Sequence, residues 1–381
     1  MKRILLVNQY TTKIFLDIVN AFLKDDYEVI LFTGNHDFPE IKNDKFKIIQ
    51  SIKYKRSNWL ARLSTWILFS LHFFLYVIFS GRKKSILLAS NPPFVFFVAW
   101  LVKIIKGCNY YLLVYDLYPD VIYNMGFLSE KNVSMRLWNK LNKPVFNKSN
   151  LIFTISDGLK DLIKARTSTS IKVINNWGDN NHLKPLPKSQ NWFAKKYDSI
   201  NKLTLMYSGN FGLTHGLEAI LKVSRKLNNN PNIQFFLIGE GSKKKRIVGE
   251  IKKYHLDKVN VLPFQPYENL QYTLTTADFG IVMLDERAEN VSVPSKTYYL
   301  LAAGCALLCI ASPDSELGKI VKKYKIGVVF RPNEIDEIVK FIQNVTTDEL
   351  NKYKANALKA SKDFTPKNAD FYVKSIEKFH G

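Results

Sequence analysis

Short apolar runs recur along the chain, separated by longer stretches of mixed polarity. Runs rich in Val, Ile, Leu, Phe and Tyr lie at 4–8, 28–32, 46–51, 86–90, 110–115, 151–155 and 171–174. They do not alternate polar with apolar, the pattern of strands buried on both faces. Most of the intervals are long enough for a helix. This strand–helix order predicts a mostly parallel sheet covered on both sides. The rhythm breaks at 177–197, which holds Gly178, Pro185 and Pro187 among several Asn and Lys, and reads as a linker. It restarts at 203–208, 233–239, 259–262, 279–284, 306–310 and 328–330. The expected organisation is a first domain at 1–180, a second at 181–365, and a tail at 366–381. The tail's apolar residues have helical spacing, as for a segment packing back across the junction. The predicted class is α/β, two doubly wound Rossmann-like domains facing a central cleft.

Composition narrows the partners. A chain of 381 residues, 46% hydrophobic and 23% charged, is globular. Lys and Arg number 55 against 33 acids, a net charge of +22. That excess calls for an anionic partner: nucleic acid, an anionic membrane surface, or a phosphate-bearing substrate. Three cysteines, Cys108, Cys305 and Cys309, make no disulfide framework, and no Cys/His cluster suggests a metal. A reducing cytoplasm is the expected compartment. The apolar run after Met1-Lys2-Arg3 stops at Asn8, too short for a secretory signal.

Candidate chemistry sits at strand ends, where open α/β sheets bind ligands. After the first strand of the second half, Gly209, Asn210, Gly212 and Gly216 form a glycine-rich turn into a helix. Such a turn either cradles phosphate or simply makes a tight, capped corner. Its spacing is not the dinucleotide fingerprint. Gly239-Glu240-Gly241 follows the next strand and leads into Lys243, Lys244, Lys245 and Arg246, either a solvated helix face or a source of diphosphate contacts. Pro294 suits the first position of a helix, which places Ser292, Ser295 and Lys296 at its N-terminus. In the first half, Ser90-Asn91-Pro92-Pro93 and Asp116-Leu117-Tyr118-Pro119-Asp120 follow successive strands. Asp116 ends a buried strand, where a charge is costly unless used or paired, so it is a capping or a catalytic carboxylate.

These motifs in this order, S-x-P-P, D-L-aromatic-P-acid and V-P-S-K-x-Y-x-x-L-A-A-G, resemble the family-four retaining glycosyltransferases of the GT-B fold. The likeness is to the bacterial branch that builds O-antigen and capsule, including L-fucosamine and related amino-sugar transferases. The resemblance implies a nucleotide-sugar donor, UDP-linked, held by Gly209, Asn210, Gly239, Glu240, Gly241, Lys244, Glu289, Pro294, Ser295 and Lys296. It implies a lipid-linked glycan acceptor on a polyprenyl diphosphate near Ser90, Asn91 and Asp120, with Asp116 in the transfer step, and no metal or other cofactor. Two departures stand out. Val291 and Tyr299 occupy the positions of the family's Glu-x7-Glu, and Asn210 and His215 replace the basic residues of the first phosphate loop.

The segment 53–85 carries seven cations and no acid around an apolar run at 63–79. A helix of that run would be about 25 Å long, short of the ~30 Å hydrocarbon core. It reads as an interfacial helix on an anionic inner-membrane surface, with Trp59, Arg62, Trp66, Arg82, Lys83 and Lys84 meeting lipid, or as an unusually apolar helix under the sheet. The expected location is cytoplasmic and peripheral on the inner face of the cell membrane. The alternatives are a basic nucleic-acid-binding protein, for which no known motif is present, and a GT-B epimerase or phosphorylase.

Overall fold

The computed structural model describes residues 2–36, 41–55, 58–80, 85–124, 129, 132–212, 216–289 and 293–379. The chain divides into two compact units, Met1–Asn175 with Lys367–Gly381, and Asn176–Pro366.

The first unit runs β1 (Arg3–Val7), β2 (Tyr10–Thr11), α1 (Lys13–Lys24), β3 (Glu28–Thr33), β4 (Asn35–His36), β5 (Phe46–Gln50), α2 (Trp59–Phe79), β6 (Ser85–Ala89), α3 (Val95–Lys106), β7 (Asn109–Val114), α4 (Asp120–Asn124), α5 (Val133–Lys148), β8 (Leu151–Thr154), α6 (Asp157–Lys164) and β9 (Ile171–Val173). Seven strands form one parallel sheet in the order β5-β3-β1-β6-β7-β8-β9, and β2 and β4 make a small parallel pair. β1 is an interior strand beside the central β6, Leu5 pairing with Ile30 on one side and Ile86 on the other. β6 is buried at every position, as a strand covered on both faces must be.

The second unit runs α7 (Trp192–Lys196), β10 (Leu203–Ser208), α8 (Leu217–Lys226), β11 (Ile233–Ile238), α9 (Lys244–Lys253), β12 (Val259–Leu262), α10 (Leu270–Thr275), β13 (Phe279–Met283), α11 (Lys296–Ala302), β14 (Ala306–Ile310), α12 (Glu316–Tyr324), β15 (Gly327–Phe330), α13 (Ile335–Asn344) and α14 (Thr347–Ser361). Its six strands are parallel in the order β12-β11-β10-β13-β14-β15. α15 (Asp370–Glu377) returns the chain to the first unit. There Tyr372 packs on Phe153, ring centroids 4.8 Å apart, and Ser375 Oγ accepts from Lys172 Nζ at 2.6 Å.

Three expectations need correction. The stretch 177–197 is not a free linker. Trp177, Leu183, Phe193 and Ala194 are buried, and the Asn191 side chain caps α7 by accepting from the Phe193 and Ala194 amides. The same side chain donates to the Tyr272 carbonyl at 2.7 Å and to the Thr275 and Thr276 hydroxyls at 3.0 Å. One polar residue thus ties the segment to the second unit. Next, α2 starts at Trp59 because Asn58 caps it, accepting from the Ala61 amide at 2.8 Å. Its 21 residues make about 31 Å, so it is longer than the apolar run alone suggests and is apolar enough to cross a membrane. Both of its ends lead into strands of one sheet, and Phe69 and Phe73 pack edge-on against Phe32 of β3 at 5.2 and 5.5 Å. Full burial of each such ring contributes roughly 1.5–3 kcal/mol, which holds the helix flat on the sheet. Finally, α11 begins at Lys296; Pro294 lies just before it, its carbonyl accepting from the Thr297 amide at 2.9 Å.

Candidate active site

Two strand ends and one helix start build a cavity in the second unit. Gly209 follows β10 and Gly239 follows β11, and the Gly209 amide bonds the Ile238 carbonyl at 2.9 Å. A Cβ on Gly239 would stand 1.9 Å from the Gly209 carbonyl oxygen, so only glycine lets the two turns nest. Gly209, at φ +156°, is equally constrained: a Cβ there would come within 2.4 Å of Lys296 Nζ. The cavity, about 440 Å³, has a polar wall of Ser208, Gly209, Asn210, Ser295, Lys296 and Tyr299. Leu270, Leu274 and Leu300 make its apolar side.

Lys296 is the unusual member. Its Nζ is buried without a hydrogen-bond partner among the described residues and stands 3.7 Å from the centroid of the Tyr207 ring. Desolvation pushes its pKa down to about 7. The Tyr207 hydroxyl donates to the Asn210 carbonyl at 2.8 Å, fixing the turn in front of the lysine. A buried ammonium with no counter-charge among the described residues is suited to a phosphate oxygen.

Pro294 also lines the cavity, whereas Gly239, Glu240, Gly241, Lys244 and Glu289 are not among its lining residues. Glu240 and Lys244 pair with each other in a turn-spaced ion pair. Lys243 reaches Glu218 at 3.0 Å, and Arg246 reaches Glu250 at 3.1 Å. Three of the four cations of the run are thus paired, within α9 and its preceding turn and across to α8. Gly241 packs against the turn after β10, where a Cβ would meet the Phe211 carbonyl at 2.5 Å. Glu289 is half-buried, and its carbonyl accepts from the Glu316 amide at 2.9 Å. Ser292 and His215 lie outside the described residues.

In the first unit, the Ser90 hydroxyl accepts from the Tyr115 and Asp116 amides, both at 3.1 Å, and so binds together the carboxyl ends of β6 and β7. The Asn91 carbonyl accepts from the Gln9 amide at 2.9 Å. Asp120 is buried, and the Arg166 guanidinium grips both of its oxygens, one at 2.7 Å. Asp116 lies two residues past β7, open to solvent, and its carboxylate has no ion-pair partner among the described residues. The protein crowded around it displaces bulk water, and that desolvation raises its pKa. Of the two aspartates, only Asp116 is left with a carboxylate to offer a ligand.

The expected lipid contacts divide. Trp59 is exposed. Trp66 is not: it is buried, stacked on Tyr54 at 6.4 Å and edge-on to Tyr118 at 5.6 Å, on the inward face of α2. Arg62 is half-buried, with its Nε without a hydrogen-bond partner among the described residues. Arg82, Lys83 and Lys84 lie outside the described residues.

Sequence reasoning missed Ser208, Leu270 and Leu274 as cavity residues, and Tyr207 as the ring facing Lys296. Tyr207 is a buried strand residue with no local signal, and the two leucines come from a helix far along the chain.

Two Rossmann-like α/β domains with parallel sheets define the GT-B glycosyltransferase fold. The structure superposes on sucrose-phosphate synthase from Thermosynechococcus elongatus with a TM-score of 0.78, at 14% identity over 99% of this chain and 98% of that one. It superposes on Anabaena HepE, solved with UDP and glucose, with a TM-score of 0.70, at 14% identity over 99% and 100%. Residues 189–363, within the second unit, match the family model described as Glycosyl transferases group 1. The chain is 24% identical over 320 residues to "Probable glycosyltransferase WbjE" of Pseudomonas aeruginosa, spanning 82% of this chain and 78% of that protein. It is 29% identical over 144 residues to WcaI of Escherichia coli K12, named for colanic acid biosynthesis, spanning 38% and 35%.

Proposed function

We propose that this protein is a retaining glycosyltransferase of surface-polysaccharide assembly. It moves a sugar from a UDP-linked donor to a polyprenyl-diphosphate-linked glycan, at the cytoplasmic face of the membrane and without a metal. The observation that carries this reading is the unpartnered Lys296 ammonium beside Gly209 in the second-unit cavity. UDP in the solved relative HepE and the names of WbjE and WcaI support the donor class and the pathway. The motif pattern favours an amino sugar of the L-fucosamine kind.

The chemistry follows from charge. As the bond between the anomeric carbon and the β-phosphate oxygen breaks, negative charge builds on the diphosphate. Lys296 supplies a proton-bearing cation where that charge develops. The acceptor hydroxyl attacks from the face the diphosphate leaves, and its proton passes to the departing phosphate oxygen. Asp116 orients the reacting groups in the first unit. Incubating the enzyme with a panel of UDP-, GDP- and TDP-sugars and a lipid-linked acceptor tests this. One UDP-sugar should be consumed, with the product's anomeric configuration matching the donor's by NMR. An inverted product, or preference for another nucleotide, contradicts the proposal.

A further inference from the structure

Three neighbouring helices of the first unit leave an apolar surface turned away from the sheet. α2 packs on α3, and α3 on α5. The inward face of α2 carries Trp66, Phe69, Phe73 and Val77. Its opposite face carries Leu60, Ile67, Leu68, Leu71, Leu75 and Phe79, with Leu60 75% and Phe79 81% exposed. α3 repeats the pattern: Val95, Ala99 and Val102 are buried, while Leu101, Ile104 and Ile105 are exposed, Ile104 at 65%. α5 adds Leu137 and Leu141, four residues apart on one side. Scattered surface leucines are ordinary; a run of them across three adjacent helices marks an interaction surface.

The charges on these helices are of one sign. None of the three contains an Asp or Glu. Arg136, Lys140 and Lys143 on α5 are exposed, and no acid lies within ion-pair reach of them among the described residues. Two further lysines brace the layer. Lys106 donates to the Val77 and Ser80 carbonyls at the end of α2, at 3.1 and 3.0 Å. Lys103 donates to the Lys148 carbonyl at the end of α5, at 2.8 Å. The helices are thereby cross-tied at their C-terminal ends.

We infer that α2, α3 and α5 form a single docking plate for an anionic lipid bilayer, the leucines and isoleucines entering the headgroup–acyl boundary and the α5 cations meeting lipid phosphates. Charge complementarity selects this occupant. A second copy of the chain on the same face would set cation against cation in a two-fold contact. A bilayer accepts exposed apolar side chains and rewards each nearby cation with up to ~1 kcal/mol. α2 does not span, because the sheet holds its inner face. The inference deepens the membrane-face reading above, extending the contact to α3 and α5, which are remote in sequence from the long apolar segment.

Vesicle flotation of the full-length protein, without donor or acceptor, tests it. Phosphatidylcholine vesicles with and without about a third phosphatidylglycerol are compared at low salt and at about 0.5 M, where screening shortens to a few ångströms. The wild type should float with the anionic vesicles only, and release at high salt. I104E/I105E should cut the bound fraction at least tenfold, and R136Q/K140Q/K143Q should do the same while leaving the apolar surface intact. The second variant decides the matter if the first does not fold, as judged by its thermal melt. UDP affinity should not change in either. Flotation of both variants at the wild-type level overturns the plate, as does a wild type that ignores vesicles, or a dimer in light scattering that I104E/I105E dissociates. A wild type that binds UDP but not vesicles loses the plate and keeps the transferase reading. One that binds vesicles but no nucleotide does the reverse.

Discussion

Lys296 keeps an amine out of water against the Tyr207 ring, and its titration is therefore linked to both stability and ligand binding. Below pH about 7 it is charged in the folded and the unfolded chain, and the folded state bears the full penalty. Between about 7 and its ordinary 10.5 the folded protein has released the proton and the unfolded chain has not. Stability from this group therefore rises with pH across that window. Lys296→Met should be more stable than the wild type at pH 7, and the difference between their melting temperatures should shrink as pH approaches 10. A diphosphate reverses the shift by drawing the proton back. Calorimetry of UDP binding at pH 8 in two buffers of different ionisation enthalpy should show proton uptake, and Lys296→Met should show none. Asp116 makes the second residue-scale case. Asp116→Asn keeps the shape and removes the charge. Turnover should fall about 10²-fold, on the scale of positioned acid–base groups, with UDP affinity unchanged. Near-normal turnover would reduce Asp116 to a corner residue held by Ser90.

Secondary-structure elements differ in how openly the sequence displays them. The parallel strands are legible because burial on both faces demands continuous Val, Ile, Leu and Phe, as in Ile233–Ile238. The segment 177–197 is not, because its anchor is Asn191, a polar residue whose partners lie about eighty positions away. Periodicity cannot reveal a hub of that kind. The start of α2 depended on a cap, Asn58, rather than on the apolar run. Asn191→Ala would strip the α7 cap and leave the Thr275 and Thr276 hydroxyls short of a partner. Loss of a cap and of buried hydrogen bonds together should cost about 2–4 kcal/mol, read as a lower denaturation midpoint at constant slope. A change under about 0.5 kcal/mol would return the segment to the status of a loose connector.

At the scale of the molecule, the excess of 22 positive charges is unevenly used. In the second unit much of it is internal: Lys243, Lys244 and Arg246 face Glu218, Glu240 and Glu250, and Asp278 is shared by Lys188 and Lys354. Lys296 in the cavity and the exposed cations of the acid-free first-unit helices are among those left without an acidic partner among the described residues. The glycine turns and the V-P-S-K motif were legible as candidate phosphate contacts because each follows a strand. Two contacts were not, because each joins distant positions: Tyr207 with Lys296, and Asp120 with Arg166. The first isolates the cation; the second occupies a carboxylate that the motif alone would offer to an acceptor. The measurement closest to the central claim is a calorimetric titration of UDP into the wild type and Lys296→Met at pH 7. A charge-assisted contact of about 1.5–3 kcal/mol predicts that the wild type binds and the variant binds roughly 10–150-fold more weakly. Equal affinities, or no binding of UDP by the wild type, would contradict the account.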